Sequence, residues 1–271
     1  MNNDGPVVAN PWTHLRNHTP ARIALGRAGP AVPTREVLAF GVAHARARDA
    51  VHQALDLDAL EAELRSAGYA PLRAHSAARD RAAYLTRPDL GRRLDDESAR
   101  RLIAPPQAAQ IVVAIADGLS AVAVQKHAVP LLAALRAIAP ERWAGVPVVV
   151  ALQGRVALGD EIGERLAARL VVVMIGERPG LSSPDSLGLY ITHEPRVGRT
   201  DAERNCISNI RPEGLDYPAA AAKLDWLAAE ALRRGVTGVG LKDESEPQLE
   251  VNVFITAQNI QEIGYSSRSP K

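Results

Sequence analysis

Cysteine occurs once in the 271 residues, at Cys206. A single thiol excludes an internal disulfide framework and is the usage expected in a reducing compartment, so the cytoplasm is the predicted setting. Aromatic residues make up only 4% of the chain, too few for a base-stacking surface. With 32 Lys and Arg against 31 Asp and Glu the net charge is +1, which offers no whole-chain attraction to nucleic acid or to a membrane. The N-terminal stretch MNNDGPVVANPWTHLRNHTP has no apolar core of signal-peptide length, and no run approaches a membrane-spanning length. The chain is therefore expected to be soluble and not exported by the ordinary route.

Several catalytic loops are missing as well. No GxGxxG opens a helix after a strand, and no GxxxxGK[ST], GxSxG or CxxC occurs, so dinucleotide, P-loop, serine-hydrolase and dithiol chemistries lack their usual frames. His14 and His18 are four residues apart but have neither the Glu of an HExxH motif nor a nearby third ligand, and they read as exposed histidines with no metal role.

What is present centres on Val146 to Arg211. Two Val-rich runs, Val146 to Leu152 and Leu170 to Ile175, are short, continuous and bounded by Gly, the pattern of parallel strands buried on both faces. Between them, Leu158, Ile162 and Leu166 fall on one side of a helix and Asp160, Glu161 and Glu164 on the other, which makes a βαβ unit. With a further strand at Ile111 to Ala116 and a helix running on to Ile138, the chain reads as α/β. The expected architecture is a Rossmann-like open, mainly parallel sheet flanked by helices, over residues 106–243. A smaller, mostly helical region fills 1–105, and a tail of no assigned role fills 244–271. At 46% hydrophobic residues the core can be sizeable.

Ligands in open α/β sheets bind where the chain leaves the carboxyl ends of the strands. The exits here are Gln153-Gly154-Arg155 and Gly176-Glu177-Arg178-Pro179-Gly180, either ordinary charged turns or two lips of a ligand site. Asp117 follows Ala116 in the same way and is expected to cap the next helix. Elsewhere, helices are expected over Thr34 to Ala54 and Asp58 to Ala67, the second with Asp58 and Glu61 as a capping box. Tyr69 to His75 reads as a strand, and Ser183-Pro184 as a helix start. Leu187 to Thr192 is a strand or a helix continuation, since periodicity does not decide. Thr200 and Glu203 form a capping box that puts Arg204, Asn205 and Cys206 early on a helix or tight turn, and Tyr217 to Arg234 is a helix closed by Gly235. Arg87, Arg92 and Arg93 crowd a stretch broken by Pro88 and Gly91, either as an anion or partner contact or as a solvated basic turn. An edge strand is expected at Leu249 to Thr256.

Five ungapped blocks, YLTRPDLGRRLD, IADGLSAVAV, GRVALGDEIGE, IGERPGLSSPDSLG and TDAERNCISNIRPEGL, together resemble the small (light) subunit family of ethanolamine ammonia-lyase. The likeness runs in order from about Asn10 to Asp243. It implies a subunit contacting adenosylcobalamin through Val156, Glu177 and Cys206, with no catalytic residue and no metal ligand of its own. The cobalamin motif DxHxxG is absent from the chain, in keeping with a family that leaves the cofactor's own base on cobalt. The implied partner is a large barrel subunit that binds ethanolamine and carries the catalytic acids for its radical deamination to acetaldehyde and ammonia. Some relatives carry an N-terminal extension directing them into bacterial microcompartments; only about ten residues precede the matching region here, which leaves encapsulation open. The rival readings are a stand-alone Rossmann-like nucleotide-binding enzyme, a shell-associated interaction protein, and, for Cys206, a nucleophile instead of a buried packing thiol.

Overall fold

The computed structural model describes residues 7–104 and 108–245. Its elements are α1 (Thr34–His52), α2 (Leu57–Ser66), β1 (Pro71–His75), α3 (Arg81–Thr86), α4 (Asp96–Arg101), β2 (Ile111–Ala116), α5 (Ala121–Ile138) and α6 (Pro140–Trp143), followed by β3 (Val148–Leu152), α7 (Leu158–Arg165), β4 (Leu170–Gly176), β5 (Leu187–His193), β6 (Asn205–Ile210) and α8 (Tyr217–Arg234). The chain is α/β, and the six strands form one mixed sheet in the order β1-β3-β2-β4-β5-β6. Pairings from β1 to β4 are parallel, whereas β5 runs antiparallel to both β4 and β6. The helix α7 does connect parallel β3 to β4, but β2 lies between those two strands instead of their being neighbours.

Alternation divides the core. From β2, Ile111, Val113 and Ile115 face one layer with Leu60 and Leu64 of α2, Leu131 and Leu135 of α5 and Leu224 of α8. Val112, Ala114 and Ala116 face the other, against Leu158 and Ile162 of α7. Helix α5 is long and apolar enough to cross a membrane by length and composition, against the sequence expectation that no run comes close. Its Leu131, Leu132 and Leu135 are fully buried, so that apolarity serves the core between sheet and α8.

Other expectations change in instructive ways. The cap of α2 is Asp56, which accepts from Ala59 N, and not Asp58. Asp58 and Glu61 instead receive Arg73 from β1, whose guanidinium also places it opposite Arg65 through Glu61. No helix starts at Ser183-Pro184: β4 and β5 are antiparallel neighbours and need no crossover between them, and the connection is pinned by Ser120 Oγ donating to Pro184 O at 2.9 Å. The capping box at Thr200 and Glu203 is present but closes a single 3-10 turn, Asp201–Glu203. Arg204 then leads into β6, so Cys206 lies on a strand and not on a helix or tight turn. The apolar side chains of α1 are not turned into the core: Val37, Leu38, Phe40 and Val42 are exposed, and Ala50 is the only buried residue of that helix. The strand expected at Leu249 to Thr256 lies outside the described residues.

Candidate functional site at the strand exits

The buried apolar layer containing α7 is drawn from β1 to β4, with Tyr190 of β5 only partly buried against it. On that open side β5 presents Gly188 and Tyr190, because Leu187, Leu189 and Ile191 are turned into the opposite core. Tyr190 pairs in register with Cys206 of β6. Glu177 leaves the end of β4 and lies across this surface, where its Oε2 accepts from Asn209 N at 3.2 Å. A Cβ at position 188 would stand 2.9 Å from Glu177 Oε1, so a larger residue there would have to displace that carboxylate.

A cavity of about 460 Å³ opens here, lined by Val156, Glu177, Tyr190, Tyr84 and Arg155 among others. The structure therefore brings Val156 and Glu177 to one cavity and places Cys206 beside its Tyr190 wall. Tyr190 escaped the sequence analysis. Its signal was the period-2 alternation of LGLYITH, which puts it on the face opposite Leu189 and Ile191.

Cys206 is exposed, not buried as a packing thiol. Desolvation pushes its pKa above the ordinary 9.0, Tyr190 opposes that by hydrogen bonding, and the Glu177 charge adds to it. Tyr190 itself rises to about 12, through desolvation first and Cys206 second. A thiol shifted this way is a poor nucleophile at neutral pH, because the reactive thiolate is scarce. Alkylation of Cys206 by iodoacetamide is accordingly expected to be slow at neutral pH and to accelerate with an inflection above pH 9.0. A pH-rate profile with its midpoint near neutrality would refute this.

The β2 and β3 exits are braced together. Asp117 does not cap α5; Ser120 does so, accepting from Ala123 N. The buried Asp117 carboxylate accepts instead from Gln153 N and Gly154 N, both at 3.0 Å, with Arg81 3.9 Å away. Burial pushes its pKa up, while those N–H groups and Arg81 hold it down. Arg81 and Arg155 in turn lie over the Tyr84 ring, at 4.6 and 4.5 Å from its centroid. The loop carrying Val156 is therefore fixed before any ligand arrives.

The three arginines of the YLTRPDLGRRLD stretch separate. Arg87 binds Asp89 and Arg93 binds Glu161, while Arg92 is exposed and lines a second cavity of about 480 Å³. That cavity shares Arg155, Val156 and Tyr190 with the first. His14 and His18 are both exposed. Among the described residues, no group of three or more His, Cys, Asp or Glu side chains is placed to hold a metal ion.

The family model described as "Ethanolamine ammonia-lyase light chain (EutC)" matches residues 9–242. An ethanolamine ammonia-lyase small subunit from Ralstonia nicotianae is 59% identical over 250 residues, covering 90% of this chain and 93% of that one. Proteins of the same description from Azotobacter vinelandii, with 57% identity over 251 residues (91% and 93%), and Pseudomonas syringae pv. tomato, with 56% over 248 residues (90% and 86%), are similar throughout.

Proposed function

Because the chain belongs to the ethanolamine ammonia-lyase light-chain family, we propose that its open face over β4 to β6 is one wall of an adenosylcobalamin cleft, the other wall being supplied by a larger partner subunit. The observation that carries this reading is the convergence of Val156, Glu177 and Cys206, which are far apart in sequence, around one concave surface. The chemistry of the surface suits such a cofactor. The Glu177 carboxylate can accept hydrogen bonds from amide side chains and ribose hydroxyls, the Tyr190 hydroxyl can accept or donate, Val156 offers an apolar contact and a backbone N–H, and Cys206 permits close approach. The cavity of about 460 Å³ is smaller than a corrinoid, so a second chain must complete the enclosure.

When bound, the cofactor supplies the radical chemistry by which ethanolamine becomes acetaldehyde and ammonia. This chain's residues hold and orient, in line with the usual division of labour between protein and cofactor. Glu177, fixed over Gly188 and held by Asn209 N, keeps its carboxylate pointed at the open face. Arg155 and Tyr84 hold the Val156 loop. No residue here is assigned to acid-base work on ethanolamine, which is bound by the partner, described by the family resemblance as a barrel. Residues 1–105 serve as a partner-contacting region, a role that suits the exposed Val37, Leu38, Phe40 and Val42 of α1, since apolar surface of this kind marks contact sites. The cytoplasm is the compartment this reading assumes. The stand-alone nucleotide-enzyme reading is not favoured by the family.

Co-expression with a candidate large subunit tests the proposal. Acetaldehyde should form from ethanolamine and adenosylcobalamin only when both chains are present. Glu177→Ala, which removes one charged hydrogen-bonding partner, should weaken cofactor affinity by roughly tenfold while the two chains still co-purify. Turnover by this chain alone, or an unchanged cofactor affinity in the variant, would sink it.

A further inference from the structure

The two isoleucines of β6 are three residues apart, yet Ile207 and Ile210 are both buried in the same core. A regular strand turns every second residue to one face, so this odd spacing requires one extra residue between them. The ladder contains it. Leu187 pairs with Ile210 and Leu189 with Ile207, so that Ser208 and Asn209 together oppose the single Gly188. Such a bulge breaks the regular pairing and re-aims the groups it carries. Asn209 makes the change of direction at a φ of 59°, a left-handed backbone that Asn tolerates and a β-branched residue does not.

The turn after β6 fixes Asn209 from its far side. Its carbonyl accepts from Leu215 N at 2.9 Å, and Arg211 N donates to Leu215 O at 3.1 Å. Arg211 Nε also donates to Asn209 Oδ1 at 3.0 Å. Held in this way, the Asn209 N–H points out of the sheet and donates to Glu177 Oε2 at 3.2 Å. Glu177 is half-buried just past the end of β4, and among the described residues no other hydrogen bond or ion pair reaches its carboxylate. Oε1 lies over Gly188, where a Cβ would stand 2.9 Å away. One carboxylate oxygen is therefore answered by the protein, while the other is not, and the residue lines the first cavity.

We propose that the β6 bulge is the device that orients Glu177, with Asn209 as a positioning residue whose N–H occupies Oε2 and leaves Oε1 to accept from an N–H or O–H donor of the ligand. The burial of Ile207 and Ile210 enforces the bulge, so the orientation is built into the core. How the carboxylate is held is an inference of its own, while the identity of the ligand rests on the cofactor reading above.

The neighbouring thiol reports on the carboxylate with no ligand present. The Glu177 charge is one of the causes that raise the Cys206 pKa, so alkylation of the full chain by iodoacetamide senses where that charge lies. Glu177→Gln should move the inflection of the pH-rate profile down. Asn209→Val, which strains the left-handed backbone, should move it the same way and add nothing in the Glu177→Gln background. Asn209→Gly keeps that backbone while losing the amide, and should rescue the wild-type profile. In the two-chain complex, calorimetric titration of adenosylcobalamin should show Asn209→Val lowering affinity about tenfold, as Glu177→Ala does, with no further loss in the double variant. Asn209→Ala repeats both measurements should the valine variant not fold. An inflection that stays at its wild-type position in Asn209→Val, or an equal shift in Asn209→Gly, overturns the positioning role. An affinity loss that persists undiminished in the Glu177→Ala background makes Asn209 merely structural and refutes it as well. The expected thiol shifts with adenosylcobalamin affinity untouched would show that the held carboxylate does not serve the ligand, which also overturns the proposal. The expected thiol shifts with no corrinoid bound by wild type are the failure of the cofactor reading alone, and leave the orientation of Glu177 by the bulge supported.

Discussion

Replacing Arg204 with alanine is expected to destabilise the fold by roughly 3–5 kcal/mol and to lower the melting temperature by about 10 °C. The side chains of Arg204 and Asp160 are each only 2% exposed, and they meet in a two-pronged pair at 2.5 and 2.7 Å. The same guanidinium reaches Thr192 Oγ1 at 3.0 Å and Arg199 O at 2.9 Å. One residue thus joins the start of α7, β5 and the turn before β6, the three pieces that frame the second cavity. Truncating it leaves the Asp160 carboxylate buried with no counter-charge, which is the expensive case; removing both charges together is much cheaper. The double variant Asp160→Leu with Arg204→Met should therefore regain most of the lost stability, a coupling that a thermal-denaturation cycle measures directly. A melting temperature for Arg204→Ala within about 2 °C of wild type would show that the pair contributes little.

That network explains where sequence reading stopped. Strands buried on both faces announce themselves by composition, and the run Ile111 to Ala116 is β2 to the residue. Amphipathic α8 is likewise bounded as expected, from Tyr217 to Arg234, with Gly235 following in the left-handed conformation. Neither required knowledge of a partner. Arg204 and Asp160, by contrast, are 44 residues apart in sequence, and nothing local marks either as buried. Asp117 misled for the same reason. An Asp-Gly step before a helix has the composition of a cap, yet Ser120 fills that role and Asp117 is drawn to N–H groups 36 and 37 residues away.

Direction was harder to read than existence. In sequence β5 is ambiguous, and β6 reads as helix or turn because Thr200 to Glu203 carries a sound capping box. The box is satisfied, but Ile207 and Ile210 enter the core only from a strand paired to β5. Tertiary burial overrode the local signal. At the site, resemblance marks Val156, Glu177 and Cys206, and their place at the strand exits marks the Arg155 and Glu177 loops independently; the geometry adds Tyr190 and the Asp117 brace, both of which depend on contacts between elements.

Gly176 is the position where fold and proposed site should fail together. The ends of β2 and β4 approach so closely there that a Cβ on Gly176 would lie 1.9 Å from Ser120 O, 2.6 Å from Ser120 C and 2.7 Å from Asp117 O. All three are backbone atoms, so no side chain can swing aside to make room. Leu119 N also donates to Gly176 O at 2.9 Å, and the added methyl would pry that contact open. Gly176→Ala is therefore expected to cost at least the roughly 1–3 kcal/mol typical of overpacking. Because relief requires β4's exit to move away from the β2 exit, Glu177 moves with it. Cofactor affinity in the two-chain complex should then fall at least as far as in Glu177→Ala, even at temperatures where the variant is fully folded. Gly180→Ala is the control: its Cβ would meet nothing nearer than Ser183 Oγ at 3.4 Å, so both melting temperature and cofactor affinity should stay near wild type. Should Gly176→Ala melt like wild type, the close approach is wrong. Should it melt early and still bind cofactor as wild type does, Glu177 does not owe its position to the β2–β4 junction.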